Sequence, residues 1–200
     1  MRSLNIHNLL RVKGEGSEVK PVLARKISMR GVLDGPDGKP VLFVGDDSDD
    51  PEAVKKGYAI VTAAKDGPWG HRAALRYTTM GAPKNENYYH ATRGKRMVLN
   101  LLDVDDPKFI PEDVIFPALR FINKHLKAGD KVLVHCNAGH SRAPTIAMMF
   151  LRTIGELPAS FGTSEKVFKA LYPKYDSGVG MRVFARTHWE ELKDDFYGTT

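Results

Sequence analysis

The run Lys131-Val132-Leu133-Val134-His135-Cys136 constrains this chain more than any other segment. It is short, continuously apolar from Val132 to Val134, and preceded by the turn pair Gly129-Asp130. Such a run reads as a strand buried on both faces, the habit of parallel sheets covered by helices. Its sequel narrows the reading further. Asn137 to Ser141 are small or polar, Gly139 permits a tight curl, and Ala143 to Leu151 is apolar nearly all round, with Pro144 in its first turn and Gly155 at its end. Strand, short loop and buried helix in this order predict an α/β domain with a central, mostly parallel sheet flanked by helices.

The rest of the chain supplies partners for that unit. Val41-Leu42-Phe43-Val44, Tyr58 to Thr62 and Met97 to Leu102 read as further strands. A helix follows from about Pro111. Ile115, Leu119, Ile122 and Leu126 form one apolar stripe, Glu112 and Asp113 complement its first turn, Lys124 and Lys127 its last, and Gly129 ends it. Two amphipathic helices are expected near 164–172 and 180–195. The acidic run Asp46 to Asp50 reads as a solvated turn into a short helix. It is no calcium loop, because Pro51 stands where such a loop needs glycine. Residues 65–95 show no clear period and read as a long, partly ordered excursion. Within them Trp69 and Arg72 suit either a recognition loop or a packed loop whose Trp69 fills a satellite core, with the second slightly preferred.

At 200 residues the chain suits one domain, and 42% hydrophobic against 27% charged residues is globular composition. No apolar run approaches a membrane span, and the first twenty residues lack an apolar core ahead of a small-residue cleavage site. With one cysteine and hence no internal disulfide, this points to a cytoplasmic protein without membrane contact. The net charge of +6 is concentrated at the start: residues 1–30 hold seven Lys or Arg against two Glu. That basic segment reads first as a solvated extension. Nucleic acid or an acidic partner is the weaker reading, since no aromatic residues interleave with the charges. The division expected is a basic extension with short strands over 1–40 and a catalytic domain over 41–200.

The chemistry concentrates between Cys136 and Arg142. A buried strand delivers Cys136 to the carboxyl end of the sheet, where ligand crevices form in open α/β folds. The loop after it can turn its N–H groups inward at a helix N-terminus, making an anion nest, and Arg142 adds a planar fork for two phosphate oxygens. The same field favours a thiolate, the nucleophilic form of cysteine. A nucleophile and an anion trap belong together, because a thiolate repels phosphate unless donors bring it in.

The segment HCNAGHSRAPT resembles the signature loop of the cysteine-dependent protein tyrosine phosphatases, most closely the dual-specificity branch. The clear resemblance runs over about residues 97–155. It implies a phosphomonoester hydrolase for phosphotyrosine, with phosphoserine and phosphothreonine as an extension, working through a phosphocysteine on phosphorylated proteins or peptides. By the same resemblance Cys136 and Arg142 are catalytic, while His135, Asn137, Ala138, Gly139, His140 and Ser141 form the substrate-binding loop. His135 supports the loop without acting as acid or base, and His140 sits at its rim. No cofactor is implied, and no Cys/His pairs at ligand spacing suggest a metal.

A leaving group must also be protonated, and the resemblance places the acid after the strand that ends near Leu102. Counting from the strand selects Asp103; counting back from the helix selects Asp105 or Asp106. Asp103 is preferred because a strand fixes direction better than a lengthened loop. Ala143 departs from the Ser or Thr that usually follows the loop arginine and helps the thiolate leave. The regenerating-liver phosphatases share this alanine. The departure predicts slow turnover of the phosphoenzyme and keeps a phospho-binding pseudophosphatase as the alternative. A non-protein substrate, an RNA 5′-phosphate or a phosphoinositide, is the other; the loop carries no Lys for a highly charged head group. Oligomeric state is left open.

Overall fold

The computed structural model describes residues 28–193 and 196–197, so most of the basic leading segment lies outside the described residues. Six strands form one sheet: β1 (Arg30–Asp34), β2 (Pro40–Asp46), β3 (Ala59–Thr62), β4 (His90–Arg93), β5 (Arg96–Leu99) and β6 (Val132–Cys136). Their spatial order is β1-β2-β6-β3-β5-β4. The four inner strands run parallel, and β1 and β4 close the two edges antiparallel, each as a hairpin with its neighbour. β1 falls within the segment read as an extension and pairs with β2 as an edge strand. β6 lies between β2 and β3 and is buried along its whole length, as its uninterrupted apolar run requires.

Among the described residues six helices cover the sheet: α1 (Asp50–Lys55), α2 (His71–Leu75), α3 (Glu112–Lys127), α4 (Arg142–Thr153), α5 (Phe161–Leu171) and α6 (Val179–Thr187), with a 3-10 turn at Pro107–Phe109. Side chains alternate across a strand, and the two faces here carry separate cores. Leu42, Val44, Val61, Leu99, Val132, Val134 and Cys136 share one large core with α3 and α4. Ile60 and Leu133 point the other way, into a small cluster with Ala53 of α1. Each fully buried Leu, Ile or Phe contributes about 1.5–3 kcal/mol, so the α3/α4 face supplies most of the hydrophobic stabilisation. Arg142 to Leu151 are all buried, which places α4 at the centre of that face.

Three departures from the sequence expectation have physical causes. The strand expected over 97–102 leaves the ladder after Leu99, and the Leu101 carbonyl instead accepts from the Lys65 N–H (2.9 Å) and from Arg142 Nη1 (3.2 Å). The last helix ends at Thr187 rather than near 195, and the chain turns Trp189 and Leu192 back into the core, with Trp189 edge-on to Phe161. The aperiodic excursion is organised by His71, buried and bridging Tyr77 Oη (3.1 Å) to the Asn87 carbonyl (2.7 Å) before β4 rejoins the sheet. Burial holds the His71 imidazole below its ordinary pKa despite the bond to Asn87. Among the described residues no helix is long and apolar enough to cross a membrane.

Candidate active site

Cys136 ends β6 at the carboxyl edge of the sheet and is 2% exposed. The five residues after it curl back to start α4, and the loop is held by its carbonyls. The Gly139 oxygen accepts from Tyr172 Oη (3.0 Å), the His140 oxygen from the Asp176 N–H (2.9 Å), and the Ser141 oxygen from the Thr145 N–H (3.0 Å) and Oγ1 (2.7 Å). The Asn137 oxygen lies 3.5 Å from the Asp47 N–H. Among the described residues none of the N–H groups of Ala138, Gly139, His140 or Ser141 donates to protein. Carbonyls engaged outward and N–H groups left over is the arrangement of a backbone nest for an anion. Gly139 makes the curl possible: its φ is +71°, and a Cβ there would stand 2.8 Å from the Gly45 oxygen and 3.2 Å from Tyr172 Oη.

Side chains fix the rest. Asn137 bridges, its Oδ1 accepting from Arg142 Nη2 (2.8 Å) and its Nδ2 donating to the Asp66 carbonyl (3.0 Å). His140 is exposed at the rim, with Nδ1 3.1 Å from the Lys174 carbonyl. Ser141 Oγ accepts from the Gly178 N–H (2.9 Å), tying the loop to the approach of α6. Burial pushes the Tyr172 hydroxyl well above its ordinary pKa, and the charges of Cys136, Asp46 and Asp49 push the same way, so it remains a donor to Gly139.

The Arg142 guanidinium is buried and held on two sides, by Leu101 and Asn137. Its Nε makes no hydrogen bond within the described residues and stands 3.4 Å from Asp103 Oδ2. The three candidate acids are therefore separated. Asp103 faces the loop arginine, with its side chain 53% exposed, and a Cβ at Gly178 would lie 3.5 Å from its Oδ1. Asp106 points away and caps the 3-10 turn, accepting from the Lys108 N–H (3.0 Å) and pairing with Lys108 Nζ (2.6 Å). Those bonds to Lys108 hold its carboxyl below the usual range, which suits a cap and not a proton donor. Asp105 is exposed. Ala143 is fully buried directly after Arg142.

Three readings from the sequence change. His135, grouped with the substrate-binding residues, is 1% exposed and points to the face opposite the Cys136 side chain, so it supports the loop from beneath. Trp69 does not fill a satellite core. It is 37% exposed, its indole N–H donates to the Asp47 carbonyl (2.9 Å), and its loop is pinned to Asn137 through Asp66. The acidic run is not a solvated turn either. Asp49 and Asp50 are buried, and Asp50 joins Arg96, Thr62 and His135 on the α1 side of β6. Sequence reading passed over Asp50, Thr62, Arg96 and Tyr172. The available signal was the position of the acidic run at the carboxyl end of a strand that pairs with the cysteine strand. Among the described residues no three His, Cys, Asp or Glu side chains converge to hold a metal ion.

With its six-strand sheet flanked by helices, the chain shares its α/β fold with solved phosphatase structures. Residues 77–160 match the family model described as dual specificity phosphatase, catalytic domain. The crystal structure of DUSP15 is similar with a TM-score of 0.59 at 17% identity, over 86% of this chain and 96% of that one. A human DUSP28 variant gives 0.55 at 16% identity, over 86% and 98% of the two chains. A human tyrosine phosphatase-like serine/threonine/tyrosine-interacting protein gives 0.53 at 19% identity, over 80% and 94%. At these identities the likeness is one of fold. No curated protein matches the chain in sequence.

Proposed function

We propose that the protein is a phosphomonoester hydrolase acting on phosphotyrosine, and on phosphoserine and phosphothreonine, of protein substrates through a phosphocysteine. The observation that carries this reading is the curled loop whose N–H groups from Ala138 to Ser141 find no protein partner among the described residues while the Gly139, His140 and Ser141 carbonyls are engaged, with Cys136 at one end and Arg142 at the other. The nest and the Arg142 fork take the phosphate oxygens and stabilise the charge on them as the Cys136 sulfur attacks phosphorus. As the S–P bond forms and the P–O bond breaks, protonated Asp103 gives its proton to the departing oxygen. Ionised Asp103 then takes a proton from water as that water attacks phosphorus, and the P–S bond breaks to release phosphate and the thiolate.

Phosphoenzyme hydrolysis is the slow step, because Ala143 offers no hydroxyl to the leaving sulfur. That same residue supports the second reading, a phospho-binding protein with negligible turnover. A loop without Lys argues for a single phosphate and against a highly charged head group. A lone nucleophilic thiol operates in a reducing compartment, consistent with a cytoplasmic setting.

The test is leaving-group dependence. Asp103→Asn lowers kcat/KM by about 10²–10⁴-fold for an alkyl or unsubstituted phenyl phosphate, the usual worth of a positioned acid, and much less for a nitrophenyl phosphate. Asp106→Asn leaves both unchanged. Equal losses with good and poor leaving groups remove Asp103 from the role.

A further inference from the structure

Beneath the catalytic strand lies a buried polar cluster that the mechanism above does not use. His135 projects from β6 to the α1 face, where Ile60 and Leu133 also point. Its Nε2 lies 2.9 Å from Asp50 Oδ2 and 3.0 Å from Thr62 Oγ1. Asp50, at the start of α1, is fully buried and accepts both Arg96 Nη1 (2.6 Å) and Nη2 (2.8 Å) in a forked pair. Arg96 begins β5, two strands from β6, and its Nη1 also lies 3.4 Å from Thr62 Oγ1. One cluster therefore links α1, β3, β5 and β6 at the level of the residue before the nucleophile.

The chemistry of the cluster fixes the ring. An ionised carboxylate only accepts, so Nε2 carries the proton. Burial opposes ionisation of Asp50, but the bonds from His135 and Arg96 outweigh it and hold the carboxyl below its ordinary range. A carboxylate buried for packing alone is costly, and hydrophobic residues of similar volume stabilise as well or better. What the pair supplies is direction. A planar fork and a single N–H leave the imidazole one orientation, and the imidazole is the side chain next to Cys136.

We propose that Asp50 and Arg96 are positioning residues for the nucleophile, clamping His135 so that the end of β6 presents Cys136 to the anion nest at a fixed angle. The inference rests on the phosphocysteine reading. It assigns a role to two residues far from the signature loop in sequence, neither of which touches substrate. Thr62 is the auxiliary contact.

The experiment is a double-mutant cycle with two readouts on the full chain. Asp50→Asn and Arg96→Met lower kcat/KM for an aryl phosphate about ten- to a hundredfold, as expected for slight misplacement at a reacting centre, and slow the pre-steady-state burst by the same factor, because attack by Cys136 is the step they misplace. Arg96→Lys keeps the charge and retains more kcat/KM than Arg96→Met. In a His135→Gln background Asp50→Asn costs less than about twofold more, because the ring it orients is gone. The clamp is refuted if the two substitutions multiply, if kcat/KM falls with the burst rate constant unchanged, or if the lost activity equals the fraction unfolded at the assay temperature. Iodoacetamide labelling supplies the second readout, specific to Cys136 because the chain has one cysteine. Asp50→Asn shifts the labelling rate constant by about threefold or more, and adds nothing in the His135→Gln background. A wild type that labels in this coupled way without turning over substrate sinks the phosphatase reading and keeps the clamp. A wild type that turns over, with kcat/KM and labelling both indifferent to Asp50, does the reverse.

Discussion

Gly139→Ala puts the curled loop under direct strain. At φ +71° a side chain meets the left-handed penalty of about 1–2 kcal/mol. The added methyl would also stand 2.8 Å from the Gly45 oxygen and 3.1 Å from the Gly45 carbonyl carbon, both backbone atoms at the end of β2 that cannot swing aside. Relieving such an overlap by backbone shift costs about 1–3 kcal/mol. Together these give roughly 2–5 kcal/mol, and at 2–4 °C per kcal/mol for a domain of this size the melting temperature falls by about 4–20 °C. A loop that relaxes instead of unfolding loses its donor geometry, and kcat falls about a hundredfold for a displacement near 1 Å. Differential scanning calorimetry and steady-state kinetics on an aryl phosphate read both effects. A variant with unchanged melting and unchanged kcat refutes the packing of the loop against Gly45.

Two further outcomes follow from the same geometry. Ala143→Ser leaves the size of a pre-steady-state burst unchanged and raises the steady-state rate, since the added hydroxyl can donate to the departing sulfur; stopped-flow measurement with an aryl phosphate checks this, and an unaltered second phase contradicts it. Asp46 is the pH probe. Burial opposes its ionisation, but bonds from Ser48, Lys174 and Ser28 bring its pKa from 3.8 down to about 2. A carboxylate depressed on folding stabilises above its unfolded value and loses that contribution as pH falls through its folded value. The stability gap between wild type and Asp46→Asn in urea titrations is therefore full above about pH 4 and closes towards pH 2; a gap independent of pH over that range contradicts the assignment.

The residues that made the domain legible are those whose burial is complete. Val132, Leu133 and Val134 need helices on both faces of the sheet, and α4 is apolar all round because it packs at the centre of one of them. Local chemistry also located the loop, since Gly139 between a strand and a helix leaves few other conformations. The obscure parts depend on partners distant in the chain. Asp50 looks like one more surface carboxylate until Arg96 and His135, 46 and 85 residues away, close around it. Trp69 looks like core material until its indole N–H finds the Asp47 carbonyl at the rim. Asp103, Asp105 and Asp106 differ in sequence only by the direction of the strand before them, and it is Arg142 beside Asp103 and Lys108 beside Asp106 that separate them in the fold. Periodicity reports burial; it does not report which polar groups a fold brings together.

Covalent capture tests the central chemistry most directly. Acid quench of the wild type and of Asp103→Asn within the first turnover of an aryl phosphate, followed by peptide mass analysis, should find a phosphoryl group on the peptide bearing Cys136. It should be absent from Cys136→Ser and persist longer in Asp103→Asn than in wild type, since that variant lacks the base for water. Substrate turnover with no phosphorylated Cys136 peptide in any quench would contradict the account.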